Sequence, residues 1–309
     1  MTAFANICSD TSSVEQAFRE AMIARGLLPP RVLVIGRPAR CPTTEKPRGQ
    51  DGGYLLHLDT PVNGKICHYA DGGGWQKWVP DGPRQTIDPA IVRARQLERE
   101  KAKAGDAAAA RLRALGIWEA CTNIGADRHP YLERKGLRSA HGARLGRHGM
   151  LVVPAYDTAG ELQTLQFIGA DGMKRFLRGG QKRGASCLVG LPGVHVLIAE
   201  GFATACSLTE ATGMPCLVAF DAGNLGPVAI ALRKTMPRAH ITVCGDDDWK
   251  TDGNPGWAMA ARAARAVGGE LRLPGPWPAN RGQKDTDFND LARLCGPRAV
   301  VAAVLGGAR

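Results

Sequence analysis

The chain has 309 residues, of which 44% are apolar and 22% charged. This is ordinary globular usage and excludes wholesale disorder. Forty Lys and Arg against 29 Asp and Glu leave a net charge of +11, so an anionic partner is expected, while no stretch nears the ~20 apolar residues that span a bilayer.

Residues 13–27 read as a short helix, with Ser13 as cap and Val14, Ala17, Phe18, Met22 and Leu27 at helical spacing. Between 30 and 85, short apolar runs (Val32 to Ile35, Tyr54 to Leu58, Lys65 to Tyr69, Trp75 to Val79) alternate with glycine-rich turns. That alternation predicts a small antiparallel β unit. Its Tyr69, Trp75 and Trp78 could stack on bases, but filling a small β core is the favoured reading. From Asp88, a good cap, and Pro89 to about Arg113 the chain is rich in Ala, Arg, Glu and Lys. A solvated connecting helix is expected there, weakened at Gly105-Asp106.

Beyond residue 116, Asp127 to Leu132 precedes a short helix, and strands are expected at Met150–Ala155, Leu162–Gly169 and Arg175–Arg178. From Val194 the rhythm becomes strand–helix alternation. Strands are predicted at Val194–Ala199, Cys216–Phe220, Ile241–Cys244 and Glu270–Leu273. Helices are predicted at Ala203–Thr212, Leu225–Met236 and Trp257–Val267. Such alternation argues for a parallel sheet with right-handed crossovers.

Nine scattered cysteines with no Cys-x-x-Cys read as free buried thiols. Cys41, His57, Cys67 and His68 could supply four zinc ligands, but their spacing is irregular and no zinc is expected. The first residues lack a basic start and a long apolar run, so a cytoplasmic protein without a membrane partner is expected. Charge is unevenly spread. Residues 131–190 carry ten basic and four acidic side chains, whereas 241–290 carry six and eight. A basic zone beside an acidic focus suits a polyanion held next to a metal.

In an open parallel sheet, function gathers beyond the carboxyl ends of the strands. Glu200 directly follows the run ending at Ala199, and Asp246, Asp247 and Asp248 follow Cys244 after one glycine. Asp285, Asp287 and Asp290 form a third group. Carboxylates gathered at one place repel unless a cation neutralises them, and Mg²⁺ or Mn²⁺ is the natural occupant. Asp252, in Thr251-Asp252-Gly253-Asn254, reads as an exposed turn. No dinucleotide glycine fingerprint, P-loop or Gly-x-Ser-x-Gly elbow competes.

Val196 to Phe202, Gly245 to Asp248 and Asp287 to Leu291 together resemble a Toprim domain, most of all that of primases from plasmids, phages and integrative elements. Phe220 to Leu225 and Gly253 to Gly256 strengthen the resemblance. It covers 116–309 well and 50–80 more weakly. It implies an α/β fold: a Toprim core, with a parallel sheet and helices on both faces, behind a mixed α+β basic subdomain and a small N-terminal β-containing module. The expected division is 1–85, a connecting helix at 86–115, the basic subdomain at 116–190 and the Toprim domain at 191–309. It implies that Glu200, Asp246 and Asp248 are catalytic and hold metal, with Asp287 and Asp290 as further ligands. Lys174, Arg175, Lys182 and Arg183 would hold single-stranded DNA template or nucleoside triphosphate, with Arg144 and Arg147 as weaker candidates.

The implied activity is primer synthesis on single-stranded DNA by metal-dependent nucleotidyl transfer, for a mobile element. The alternatives are a Toprim-type nuclease and a non-catalytic single-strand-binding protein. Thr204 stands where replicative primases often carry an aspartate. That departure, with the missing zinc ribbon, leaves template selection to a separate helicase or polymerase partner.

Overall fold

The computed structural model describes residues 3–58, 62–69, 71–72, 74–81, 89–125 and 128–306. Asp88 and Asp127, expected at helix starts, lie outside them. The chain divides into two compact units, Met1–Arg99 and Glu100–Arg309.

In the first unit, α1 (Ala3–Ala24) accompanies four strands, β1 (Ala39–Cys41), β2 (Gly52–His57), β3 (Asn63–His68) and β4 (Trp75–Trp78). They form an antiparallel sheet in chain order. Phe18 and Met22 of the helix are fully buried with Leu27, Tyr54, Leu56 and Ile66. The helix begins ten residues before the expected cap at Ser13. Val32 to Ile35 is not a strand. Only Ile35 bridges to Leu56, because Ala39–Cys41 takes the ladder beside β2. Trp78 packs edge-on to Phe18 at 4.9 Å, as a core residue should, whereas Tyr69 and Trp75 stand exposed. His57 pairs with Asn63 while Cys67 pairs with Gly53. Four residues of strand therefore separate His57 from Cys67, about 13 Å along the ladder.

Helix α2 (Pro89–Glu119) runs unbroken through Gly105 and six residues past the expected end. Its last turns are not solvated all round. Ala114 is fully buried against Val152 and Leu165, with Ile117 and Trp118 packed alongside.

The second unit holds two five-stranded sheets. The first is antiparallel in chain order: β5 (Thr122–Asn123), β6 (Arg144–Leu145), β7 (Leu151–Tyr156), β8 (Leu162–Ile168) and β9 (Lys174–Phe176). Helix α3 (Pro130–Arg134) lies between β5 and β6 in the chain. The second sheet contains β10 (Cys187–Val189), β11 (His195–Ala199), β12 (Cys216–Val218), β13 (His240–Cys244) and β14 (Glu270–Arg272), in the order β10-β12-β11-β13-β14. It is parallel except for β10 at one edge.

Alternation along the central strands decides what covers each face. Leu197, Ala199 and Cys244 face a core built with α4 (Phe202–Thr212), α7 (Phe288–Cys295) and α8 (Pro297–Leu305). That core also contains Leu151, Val153, Ala155 and Ile168, so both sheets share it. Val196, Ile198, Ile241 and Val243 face α5 (Ala222–Thr235) and α6 (Pro255–Ala266). Covered on both faces, β11 reads as a continuous apolar run from Val196 to Ala199, and β13 from Ile241 to Cys244 departs from one only at the buried Thr242.

Eight described cysteines are free. Seven are buried and Cys295 is exposed. Burial pushes the Cys187 thiol up to about 12. No helix among the described residues is long and apolar enough to cross a membrane.

Candidate active site

The carboxyl ends of β11 and β13, neighbours in the sheet, deliver the acids. Glu200 follows β11, and its carbonyl accepts the Phe220 N–H at 2.7 Å. Phe220 has φ +73°, a left-handed conformation unusual for a bulky side chain. It turns the chain sharply after β12, so that Asp221 caps α5 by accepting the Asn224 N–H at 2.9 Å. Asn224 is itself buried. It accepts from the Gly184 N–H and donates to the carbonyls of Lys182, Ala185 and Ala219, which ties residues 182–185 to the turn beside Glu200.

Beyond β13, each aspartate has a different task. Asp246 Oδ1 is buried and has no hydrogen-bond partner. Asp247 Oδ1 accepts from Asn254 at 2.8 Å, and Asp247 Oδ2 pairs with Arg281 at 2.9 Å. Asp248 Oδ2 accepts the Gly256 N–H at 2.9 Å, at the start of α6. Asp287 and Asp290 form a capping box on α7. Asp290 Oδ2 accepts from Thr286 and Asp287, while its Oδ1 lies 3.4 Å from Arg293 and 4.0 Å from Lys135. Both Asp290 oxygens are thus committed.

Electrostatics link these groups across the site. Burial pushes the Asp246 carboxyl well above the usual range, helped by Asp287, Glu200 and Asp248 and opposed by Lys174. Glu200 is raised by burial and by Asp248, against Lys174 and the Ala222 N–H. The Lys174 side chain reaches solvent, yet protein packed around its ammonium lowers its pKa. Lys135 adds to this, and Asp287, Glu200 and Asp246 oppose it. Lys174 therefore borders the acids.

Among the described residues, no three His, Cys, Asp or Glu side chains stand as a ready ligand cluster. Glu200, Asp246 and Asp248 stand near one another without being drawn into one coordination sphere. One Asp248 oxygen is turned to the helix N–H, and like charges favour separation. The donor set still suits a small hard cation. An unpartnered buried carboxylate oxygen in a field of three further carboxylates is what a divalent ion would neutralise.

Residues 195–298 match a family described as the Toprim domain. This stretch is a Toprim domain. The chain is 33% identical over 290 residues to a DNA primase TraC of Escherichia coli, an alignment covering 84% of this chain and 26% of that protein. A second DNA primase TraC of Escherichia coli is 33% identical over 285 residues, covering 84% and 19%. The chain thus spans about a quarter of the first relative's length and less of the second's. The primase fragment of the bacteriophage T7 primase-helicase protein aligns over 59% of this chain and 74% of its own, at 14% identity and a TM-score of 0.43.

Ahead of the Toprim domain, the basic candidates separate into free and engaged. Arg175, Arg183 and Arg147 are exposed. Lys182 pairs with Asp221 and lies 5.3 Å from the Phe176 ring. Arg144 donates to the Trp118 carbonyl at 3.1 Å and stacks on that indole at 4.1 Å, so it holds α2 to β6. Sequence reasoning missed Lys135, Arg281 and the tasks of Asn224 and Asn254. Their signals were the short motifs around them, which name residues without saying what they touch.

Gly256 shows how closely α6 approaches the acids. A Cβ there would lie 2.8 Å from the Asp246 carbonyl oxygen and from Asp248 Oδ2, and 3.0 Å from the Asp246 Cβ. Gly256→Ala is therefore expected to displace the acidic loop and to cost about 1–3 kcal/mol through overpacking. A thermal melt paired with metal titration checks this. Both readings should fall together.

Proposed function

We propose that the chain carries the catalytic core of a DNA primase, which makes short RNA primers on single-stranded DNA in the cytoplasm for a mobile genetic element. Two relatives named DNA primase support the reading, and the buried, unpartnered Asp246 oxygen beside Glu200, Asp248 and Lys174 carries it. Glu200, Asp246 and Asp248 would hold Mg²⁺ or Mn²⁺, and Asp287 would add negative field. Asp290 is left to its capping box. The ion, when bound, supplies charge neutralisation for the triphosphate and for the departing pyrophosphate.

The chain's own residues set the geometry. The Phe220 turn and Asn224 hold the basic segment against the site. Lys174, at the border of the acids, is placed to meet a phosphate oxygen, and Arg175 and Arg183 extend positive charge outward. In this reading 116–190 is the basic subdomain and 191–309 the Toprim domain. Residues 1–85, joined through 86–115, steer template, and a separate helicase or polymerase recruits the whole.

The deciding experiment incubates the protein with single-stranded DNA, labelled nucleoside triphosphates and Mg²⁺. Short new oligonucleotides support a primase. Shortened template indicates a nuclease, and binding without either product indicates a single-strand-binding protein. In the same assay, Lys174→Ala with Arg175→Ala should weaken single-strand binding. It should also flatten the plot of log affinity against log salt by about 0.7 for each phosphate that is no longer neutralised. An unchanged slope would return both residues to a solvated strand face.

A further inference from the structure

The loop that follows Asp248 builds a surface that none of the roles above uses. Residues 249–254 and 257 line an open cavity of about 720 Å³, with Trp249, Lys250, Asp252, Asn254 and Trp257 on its walls. Trp249 is 41% exposed and Trp257 44%. Large indoles left in water beside an acidic site have no packing reason to be there.

The two differ in availability. Trp249 is flanked by cations, with Lys250 Nζ 4.3 Å and the Arg281 guanidinium 4.8 Å from its ring. Trp257 has no ring or cation stacked on it among the described residues. Its backbone is held, because the side-chain carbonyl oxygen of Asn254 accepts the Trp257 N–H at 3.3 Å. The same Asn254 side chain accepts the Asp248 N–H and donates to Asp247. The backbone that carries the indole is therefore tied through Asn254 to the loop of Asp247 and Asp248.

We propose that Trp257, with Trp249 and Lys250, forms a stacking shelf for an unpaired base of a single-stranded nucleic acid passing the acidic site. The indole face suits any base, and Lys250 offers a cation to the adjoining phosphate against the single carboxylate of Asp252. The cavity is open to solvent rather than enclosed, which fits a strand that continues in both directions better than a swallowed mononucleotide. The proposal rests on the reading of this chain as a nucleic-acid enzyme, and adds a site outside the metal-holding acids and the basic segment.

The test compares binding of an oligothymidylate and of an abasic oligonucleotide of equal length, so that phosphates are constant and only bases differ. The native chain should prefer the strand with bases. Trp257→Ala should shrink that preference by tenfold or more while leaving affinity for the abasic strand unchanged. Trp257→Phe should keep most of it, which shows that the aromatic face and not the fold was lost. Equal loss for both strands, an unchanged preference, or displacement of the oligothymidylate by a nucleoside triphosphate at lower concentration would each overturn the shelf. Primer synthesis is scored separately. A Trp257-dependent preference without synthesis keeps the shelf and defeats the primase reading, and synthesis with a Trp257-independent preference does the reverse.

Discussion

Asp246→Asn is expected to abolish the proposed nucleotidyl transfer and, in the same variant, to make the metal-free protein more stable. The carboxylate is buried, one of its oxygens has no partner, and Asp287, Glu200 and Asp248 repel it. Neutralising it removes a desolvation penalty of about 1–3 kcal/mol. For a domain of this size that raises the melting temperature by about 2–4 °C per kcal/mol. The sign of the pH dependence follows from the raised carboxyl. At pH below its ordinary range both folded and unfolded states bind the proton, and the native chain and the variant should melt alike. As pH rises through that range the unfolded state releases the proton first, so native stability falls while that of the variant does not. The gap between them should widen from about pH 4 toward neutrality. Melting curves in chelator across that range check this, and a variant that is less stable at neutral pH would show that Asp246 is satisfied in some other way.

Arg281→Ala should nearly silence the site without removing any acid. The guanidinium pairs with Asp247 Oδ2 at 2.9 Å and donates to the carbonyls of Asp247 and Asp285 at 3.2 and 2.9 Å. It lies between Trp249 and Trp277, 4.8 and 4.2 Å from their ring centres. One side chain therefore fastens the loop of Asp246 to Asp248 to the segment that leads into Asp287. Its removal leaves the largely buried Asp247 carboxylate with Asn254 as its remaining side-chain partner, at a cost of about 1–3 kcal/mol. A shift of the acids by about 1 Å is enough to lower turnover roughly a hundredfold. Arg281→Lys should recover charge but little rate, because an ammonium cannot reproduce the planar stack and fork. The measurement is turnover alongside template affinity. Turnover should fall while affinity for the strand changes far less, and an unchanged turnover would remove Arg281 from its positioning role.

The parallel sheet was legible because burial on both faces leaves no polar alternation. Val196 to Ala199 and Ile241 to Cys244 could hardly be anything but central strands, and acids directly after such strands emerge at their carboxyl ends. The small N-terminal sheet was legible in its turns and less so in its strands. Val32 to Ile35 has strand composition, but the edge beside β2 went to Ala39–Cys41. Gly105 did not break α2, whose later turns gain stability from burying Ala114. Propensity yields to packing when a helix has a face to bury.

By itself, the amino-acid sequence determined which residue types line the site and at which strand ends they emerge. Both depend on local periodicity and on the identity of single side chains. Tertiary structure alone decided how the acids share the work. Asp246 is left unpartnered, Asp247 is clamped, Asp248 meets a helix N–H, and Asp290 is spent on a cap. Those outcomes depend on which distant groups arrive beside each carboxylate: Arg281 and Asn254 at Asp247, Gly256 at Asp248, Lys135 and Arg293 at Asp290. Four aspartates with the same intrinsic chemistry acquire different roles because burial and hydrogen-bond supply differ from one oxygen to the next, and no spacing in the chain encodes that supply.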